Sequence, residues 1–380
     1  MGWLELYTEY AKNNEASPLV HLWTGLTILG ASLKRNVSYS KGYYTLYPNL
    51  WALIVAPSGH KKTTGVSIGY NILSKLDYVK LLPDKGSPEG LVAALAAPDE
   101  SEAVESQGLL YAPELANFMD RRTHNEGLVP LLLRLADCPD SWKYRTKGGG
   151  LVTLHNIAIS FLGATAPDLL YDCMPSHAMK SGFLARFLCI LDLNPGPIYP
   201  FPWKSCDLET EVLIELERLS LLQGAFILPP KVQEWYVAWY FRHKAAVGGA
   251  VSDKLKAYFE RKPDYLLKLG MLVAVSDTRI LEFTIKGLEK GLAYLDNLEE
   301  GLNRLYTNLD ASTSGREGFK IQGYLKAHEG CALLSTLQRD LAHTLTDSGG
   351  LEKILDSLVK AQIIRLQKEG SKGERKVTLL

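Results

Sequence analysis

Apolar positions in the first third of the chain recur at helical spacing and then at strand spacing. Trp3, Leu4, Leu6, Tyr7 and Tyr10 share one helical face, and Ser17-Pro18 opens a second apolar run, which predicts helices over 3–12 and 18–34. Residues 37–48 alternate and are rich in Tyr, Val, Ser and Gly, as a hairpin does. The unbroken run from Trp51 to Val55 has the pattern of a strand buried on both faces. A small-residue turn, Ala56-Pro57-Ser58-Gly59, leads to a predicted helix over Val66–Leu76. Further strands are predicted at 78–83, Gly108–Tyr111, Ile157–Leu162 and Phe187–Leu193. Between them lie helical stretches at 88–95, 115–119, 127–136 and 167–174. The acidic stretch 98–106 has the pattern of a loop, and 138–150 that of an exposed turn or hairpin. Strands alternating with helices predict an α/β fold with a parallel sheet, and such sheets bind ligands beyond the carboxyl ends of their strands. Placed there on this pattern are the loop after Val55, Glu114, Thr165 and, through the loop before its strand, Arg186.

The pattern changes at the proline-rich stretch 194–203 and becomes helical over 207–222, 230–246, 251–259, 263–276 and 286–308. A polar linker over 309–317 follows. The last segment predicts helices at 317–328, 335–345 and 351–362, then two short strands at 363–367 and 376–380 around a polar turn. Three helices and a two-stranded hairpin is the order of a winged helix. Four parts are therefore expected: an amino-terminal helical and hairpin segment over 1–46, a P-loop core over 47–200, a helical domain over 201–308, and a linker with winged helix over 309–380.

Composition excludes more than it assigns. The 42 Lys and Arg balance the 42 Asp and Glu, so no global field advertises nucleic acid or membrane, and any such site is a local patch. The five cysteines are widely spaced and form no C-x-x-C, which points away from a zinc site or a disulfide framework and toward reduced thiols in the cytoplasm. Leu19–Leu33 carries His21 and Thr24 and is too short to span a bilayer, and the acidic start is not that of a signal peptide, so no membrane partner is expected.

The chemistry concentrates after the first buried strand. Strand, glycine-containing loop, Lys-Thr and helix is the layout of a phosphate-binding P-loop, in which loop N–H groups and the helix terminus face phosphate. Ser58, Gly59, His60, Lys61, Lys62, Thr63 and Thr64 are the candidate ATP-binding residues. Lys62 supplies the charge for the β- and γ-phosphates, and Thr63 a hydroxyl for Mg²⁺. Against the full pattern G-x-x-x-x-G-K-[ST], Ala56 replaces the first glycine and Lys61 the second. The alternative is an ordinary strand–turn–helix with surface lysines, in which His60 faces solvent. Glu114, ending an apolar strand, is the candidate carboxylate for Mg²⁺ or for orienting water, or else a helix-terminal acid; Pro113 stands where the common pattern has a second acid. Thr165 is either a γ-phosphate sensor or the cap of the next helix. Arg186 is a candidate arginine finger reaching a neighbouring subunit's nucleotide, or a surface arginine paired ahead of its strand. Arg145, Asp137 and Asp140 are weaker alternatives, more in keeping with loop positions. In the last segment Lys368, Lys372, Arg375 and Lys376 lie on the wing and suit a DNA backbone, although nine Lys and Arg meet seven Asp and Glu over 321–380.

Taken together, Tyr47-Pro48-Asn49-Leu50, the P-loop, the Glu114 strand, Gly163-Ala164-Thr165 and Ser181-Gly182-Phe183-Leu184-Ala185-Arg186-Phe187 resemble the YfjI-like group of phage and mobile-element P-loop proteins. The resemblance covers about residues 1–308 and implies a RecA-like ATPase core with a helical extension. It implies ATP at Lys62 and Thr63, an acid at Glu114, and Arg186 acting in trans. It also implies a ring oligomer on DNA, of the hexamer type, working beside primase or helicase modules as a helicase, translocase or loader.

Overall fold

The computed structural model describes all residues except 85–86, 97–104, 120–126, 147–149, 174–181, 251–252, 311–317, 319–320, 326–327, 329, 342–347, 361–362, 370–373 and 380. The chain divides into two units, Met1–Asn303 and Arg304–Leu380.

The first unit is built on a mixed sheet with a parallel core. Its strands are β3 (Trp51–Val55), β4 (Leu81–Leu82), β5 (Glu105–Ala112), β6 (Ser141–Thr146), β7 (Gly150–Thr165) and β8 (Leu188–Leu191). The order across the sheet is β4-β5-β7-β3-β8, all parallel, and β6 pairs antiparallel with the first part of β7. Every residue of β3 is buried, as a central strand covered on both faces requires. The later half of β7 is inserted between β5 and β3, with Tyr111 opposite Leu162 and Ala52 opposite the same residue on the other side. Trp51 of β3, Phe161 of β7, Phe118 and, ahead of β8, Phe183 and Phe187 form an aromatic cluster, with centroid separations of 5.0–5.7 Å.

Helix α1 (Trp3–Ala11) and helix α2 (Pro18–Leu33) pack into this unit. Ser17 caps α2 by accepting from the Val20 N–H, and Pro18 occupies the first turn, where its missing N–H costs nothing. Helix α2 is buried almost all round and packs on α3 (Lys62–Leu73), where a Cβ on Gly65 would lie 2.5 Å from Val20 Cγ1. The amino terminus is pinned at long range by Trp3 Nε1 donating to Val212 O and Leu4 N donating to Ser276 Oγ. Strands β1 (Val37–Ser40) and β2 (Thr45–Leu46) form the expected hairpin, which joins the later β9 (Gly224–Ala225) rather than the central sheet. The helices α4 (Pro88–Leu95), α5 (Leu115–Phe118), α6 (Leu128–Ala136) and α7 (Pro167–Cys173) connect the strands.

Helices α8 (Cys206–Ser220), α9 (Pro230–Ala250), α10 (Asp253–Thr278) and α11 (Ile285–Asp310) make up the helical stretch. The predicted break near 260 is absent: α10 runs through Pro263. Proline has no N–H to offer the carbonyl four residues earlier, Phe259, and His243 Nε2 takes that place at 2.8 Å. Buried Lys262 joins α10 to α11 through Asp296 at 2.9 Å and Glu299 at 2.8 Å, with Tyr258 donating to Glu299.

Three further boundaries differ from expectation. Helix α3 begins at Lys62 rather than Val66, β5 begins inside the predicted acidic loop, and β7 spans 16 residues because β6 extends its first half. Among the described residues no helix is long and apolar enough to cross a membrane.

The second unit contains helical residues 321–325, α12 (Leu334–Leu341), α13 (Ser348–Lys360) and a three-stranded antiparallel sheet of β10 (Cys331–Leu333), β11 (Ile364–Glu369) and β12 (Glu374–Leu379), in the order β10-β12-β11. Ile321, Leu325, Leu337, Leu355, Ile364 and Val377 form its own core.

Candidate functional site

The parallel register brings four strand ends together. Val55 lies opposite Thr165 on one side and Leu191 on the other, and Ala112 lies opposite Gly163. Residues 56–62, Thr165, Asp192 and, two residues past Ala112, Glu114 therefore share the carboxyl edge of the sheet.

The loop turns at Gly59 (φ +88°), with nothing within 4 Å of where a Cβ would be, and again at Lys61 (φ +52°, ψ +21°). Lys61 thus adopts the left-handed conformation suited to the glycine it replaces, at about 1–2 kcal/mol for a residue with a Cβ. Its side chain leaves the loop and pairs with Glu15, Nζ to Oε2 at 3.2 Å. Lys62 is the first residue of α3 and is buried, whereas Thr63 and Thr64 are exposed on the first turn. His60 donates its backbone N–H to Pro57 O, and its Nδ1 is buried without a partner among the described residues. The side chain is thus half-buried rather than solvent-facing.

Glu114 is the amino-terminal cap of the short α5, yet its side chain caps nothing. It reaches across β7 toward the start of α3, where Thr63 Oγ1 donates to Glu114 Oε1 at 3.4 Å. A hydroxyl and a carboxylate meeting beside a helix amino terminus are hard oxygen donors of the kind that hold Mg²⁺ with few protein ligands. Thr165 is fully buried, its hydroxyl 3.3 Å from Ala166 O, and its carbonyl accepts the Ala56 N–H at 3.2 Å. In this conformation it holds the base of the loop and presents no hydroxyl to it. Pro113 leaves Glu114 as the single acid at that strand end.

Arg186 does not belong to this edge. It precedes β8, and the parallel pairing of Leu188 with Ala52 puts it at the amino end of the sheet, opposite the loop after Val55. The expectation that it sits among the carboxyl strand ends is corrected by that register. There its Nε and Nη2 donate to Asp137 at 3.2 and 2.9 Å, and its Nη1 donates to Gly182 O at 3.4 Å. It lines a cavity of about 290 Å³ with Asp137, Arg261, Asp264 and Lys268. Around it, Phe183 and Phe187 are core residues, and Tyr265 donates to Ala185 O, so much of the Ser-Gly-Phe-x-x-Arg stretch serves packing. The Tyr-Pro-Asn stretch is structural as well. Buried Asn49 donates to Ile159 O at 3.0 Å and accepts from Lys268 at 2.8 Å, and burial lowers the Lys268 pKa.

Of the weaker candidates, Asp140 pairs with Arg35, and Arg145 is exposed on β6. In the β11–β12 hairpin, Arg375 lies opposite Lys368 and its Nη2 pairs with Glu352 of α13 at 2.8 Å; Lys376 lies opposite Gln367. Lys372 falls outside the described residues.

Two residues near the loop carried no sequence signal. Glu15 draws Lys61 out of the loop. Asp192, which is buried, donates its N–H to Val55 O, and its carboxylate accepts from Ser17, the cap of α2. At the other end of the sheet Asp137, a candidate acid on sequence, instead holds Arg186. Each works through a partner remote in sequence, where no local spacing exists to be read. Among the described residues no cluster of three or more His, Cys, Asp or Glu could hold a metal by itself, and the five cysteines form no disulfide.

Comparison with protein-family models and with curated proteins finds no match to this chain.

Proposed function

We propose that the protein binds ATP·Mg²⁺ at residues 58–64 and hydrolyses it as a replication-type ATPase of a phage or mobile element. The contact of Thr63 with Glu114 carries this reading. Two residues 51 positions apart, on elements separated by an intervening strand, converge at a helix amino terminus beside a left-handed loop. A surface turn with incidental lysines gives no reason for that convergence. In the proposed site Lys62 and the loop N–H groups bind the phosphates, the Thr63 hydroxyl and Glu114 face Mg²⁺, and Glu114 orients the attacking water. Mg²⁺ bound there supplies charge neutralisation on the phosphate oxygens.

The RecA-like assignment rests on the sheet order, in which one strand separates the P-loop strand from the acid-bearing strand. Arg186 would serve only in trans, since it sits at the far end of its own sheet. That fits a ring oligomer in which the Asp137 pair opens on assembly. The second unit, read as a winged helix, would contact the DNA backbone through Lys368, Lys372, Arg375 and Lys376, with Arg375 leaving Glu352. Helicase or translocase action is the primary reading, and helicase loading or origin remodelling beside a primase uses the same parts.

A second reading, a non-hydrolysing DNA-binding scaffold, is favoured by Lys61 and by the lone acid beside Pro113. Phosphate release with and without single-stranded DNA, for wild type and Lys62→Ala, separates the two. DNA-stimulated turnover abolished by the substitution supports the ATPase. No turnover in either, with DNA binding intact, leaves the scaffold.

A further inference from the structure

A cleft of about 480 Å³ opens beside the first turn of α3. Its lining includes Thr64 and Ile68 on one stripe of that helix, Tyr10, Asn13 and Asn14 from the end of α1 and the following turn, and Trp203 from the proline-rich stretch. That size is within the range of pockets that enclose a small organic ligand. The cleft starts at Thr64, the residue after the proposed Mg²⁺-facing hydroxyl, so a nucleotide with its phosphates on the loop has this space beside its other end.

Three observations give the cleft a ligand chemistry. Trp203 is 60% exposed, an unusual position for the largest apolar side chain, and its backbone N–H donates to Asn13 O at 3.2 Å, which fastens it over the cleft. Asn13 is only 8% exposed, yet its side-chain amide makes no hydrogen bond with a described residue. Neighbouring Asn14 is fully engaged: its amide nitrogen donates to Ala11 O, and its carbonyl oxygen accepts from Ala16 N at 2.8 Å. At the other end, Glu209 is neutralised by Lys75 and Lys204, so the cleft does not repel an anion through that acid.

We infer that this cleft holds the base of the bound nucleotide, a purine stacked on Trp203 with its edge read by the Asn13 amide. This rests on the P-loop reading. An indole face suits the larger ring system, and an asparagine amide offers the donor and acceptor that match adenine N6 and N7. The chemistry is that of a binding subsite, with no bond made or broken.

The test is calorimetry on the full chain with Mg²⁺ and, in turn, ATP, CTP and inorganic tripolyphosphate, for wild type, Trp203→Ala and Lys62→Ala. The exposed Trp203 contributes little to the core, and circular dichroism checks that the variant is folded. Wild type should prefer ATP over CTP, and Trp203→Ala should weaken ATP roughly 5- to 100-fold with tripolyphosphate unchanged. Lys62→Ala should weaken both. If Trp203→Ala binds ATP as wild type does while tripolyphosphate still binds, the base lies elsewhere and the P-loop reading survives. Equal wild-type affinity for ATP and CTP overturns the purine assignment. Failure of wild type to bind even tripolyphosphate overturns the P-loop reading and the base cleft with it.

Discussion

Replacing Lys61 by glycine tests whether the loop is already shaped for phosphate. Three effects act on stability. Glycine relieves the left-handed strain at φ +52°, about 1 kcal/mol or somewhat more. It removes the ion pair with Glu15; with the Lys61 side chain 50% and the Glu15 side chain 33% exposed, this pair contributes about 0.5 kcal/mol. Glycine also enlarges the unfolded ensemble, at a cost of about 0.5–1 kcal/mol. These nearly cancel, so Lys61→Gly should change stability by less than about 1 kcal/mol and the melting temperature by no more than about 4 °C. For binding, the backbone is already left-handed and the side chain already points to Glu15. ATP affinity should therefore change less than about threefold, equivalent to about 0.7 kcal/mol. Thermal denaturation and calorimetry with Mg²⁺ and ATP read the two quantities. A tenfold gain in affinity would mean that the lysine obstructs the loop, and a tenfold loss would mean that its ammonium contacts phosphate. Either result refutes the argument that Lys61 acts through its backbone alone.

Glu114→Gln keeps the shape of the side chain but removes its charge. Steady-state phosphate release should fall about 10²- to 10⁴-fold with ATP affinity within a few-fold of wild type, as expected for a group that orients water. Arg186→Ala should cost about 1–2 kcal/mol in denaturant unfolding, through loss of the two-pronged contact with partly exposed Asp137. If Arg186 acts in trans, mixing this variant with Glu114→Gln should restore some turnover, and its failure to do so would leave Arg186 a structural residue. His21 gives a pH dependence. It is 2% exposed, and burial lowers its pKa from 6.5 to about 4. The unfolded chain therefore takes up a proton below pH 6.5 that the native state refuses. This part of the stability is complete above pH 6.5 and is lost as pH falls from 6.5 to 4, by up to about 3 kcal/mol. Unfolding of wild type and His21→Gln at pH 7.5 and pH 4.5 should show the smaller pH effect in the variant.

Much of the first unit was legible because its signals are local. Trp51–Val55 reads as a central strand since a strand covered on both faces has no polar alternation to hide. Ser17-Pro18 and Ser87-Pro88 mark helix starts because a hydroxyl and a ring can satisfy a helix terminus without tertiary help, and both serines do accept from their own helices. Where reading failed, a distant partner had intervened. Pro263 predicts a break, but His243 supplies the hydrogen bond that the break would have lost. The stretch 138–150 reads as an exposed turn or hairpin, and β6 does pair back on β7; what local sequence did not show is that this pairing carries β7 from Gly150 without a break into the central sheet.

The candidate site divides the same way. By itself the sequence determined that strand, loop, lysine and helix follow one another, which residues carry hydroxyl or charge, and that an acid ends a later strand. These are properties of neighbouring residues. Only the tertiary structure decided which strand ends share an edge, because parallel order and register are set by long-range pairing and not by any one segment. That pairing brings Glu114 to Thr63 and sends Arg186 to the opposite end of the sheet. It also turns Lys61 from an obstruction of the loop into a left-handed backbone position with its charge led away, because Glu15, 46 residues earlier, lies within reach of its ammonium.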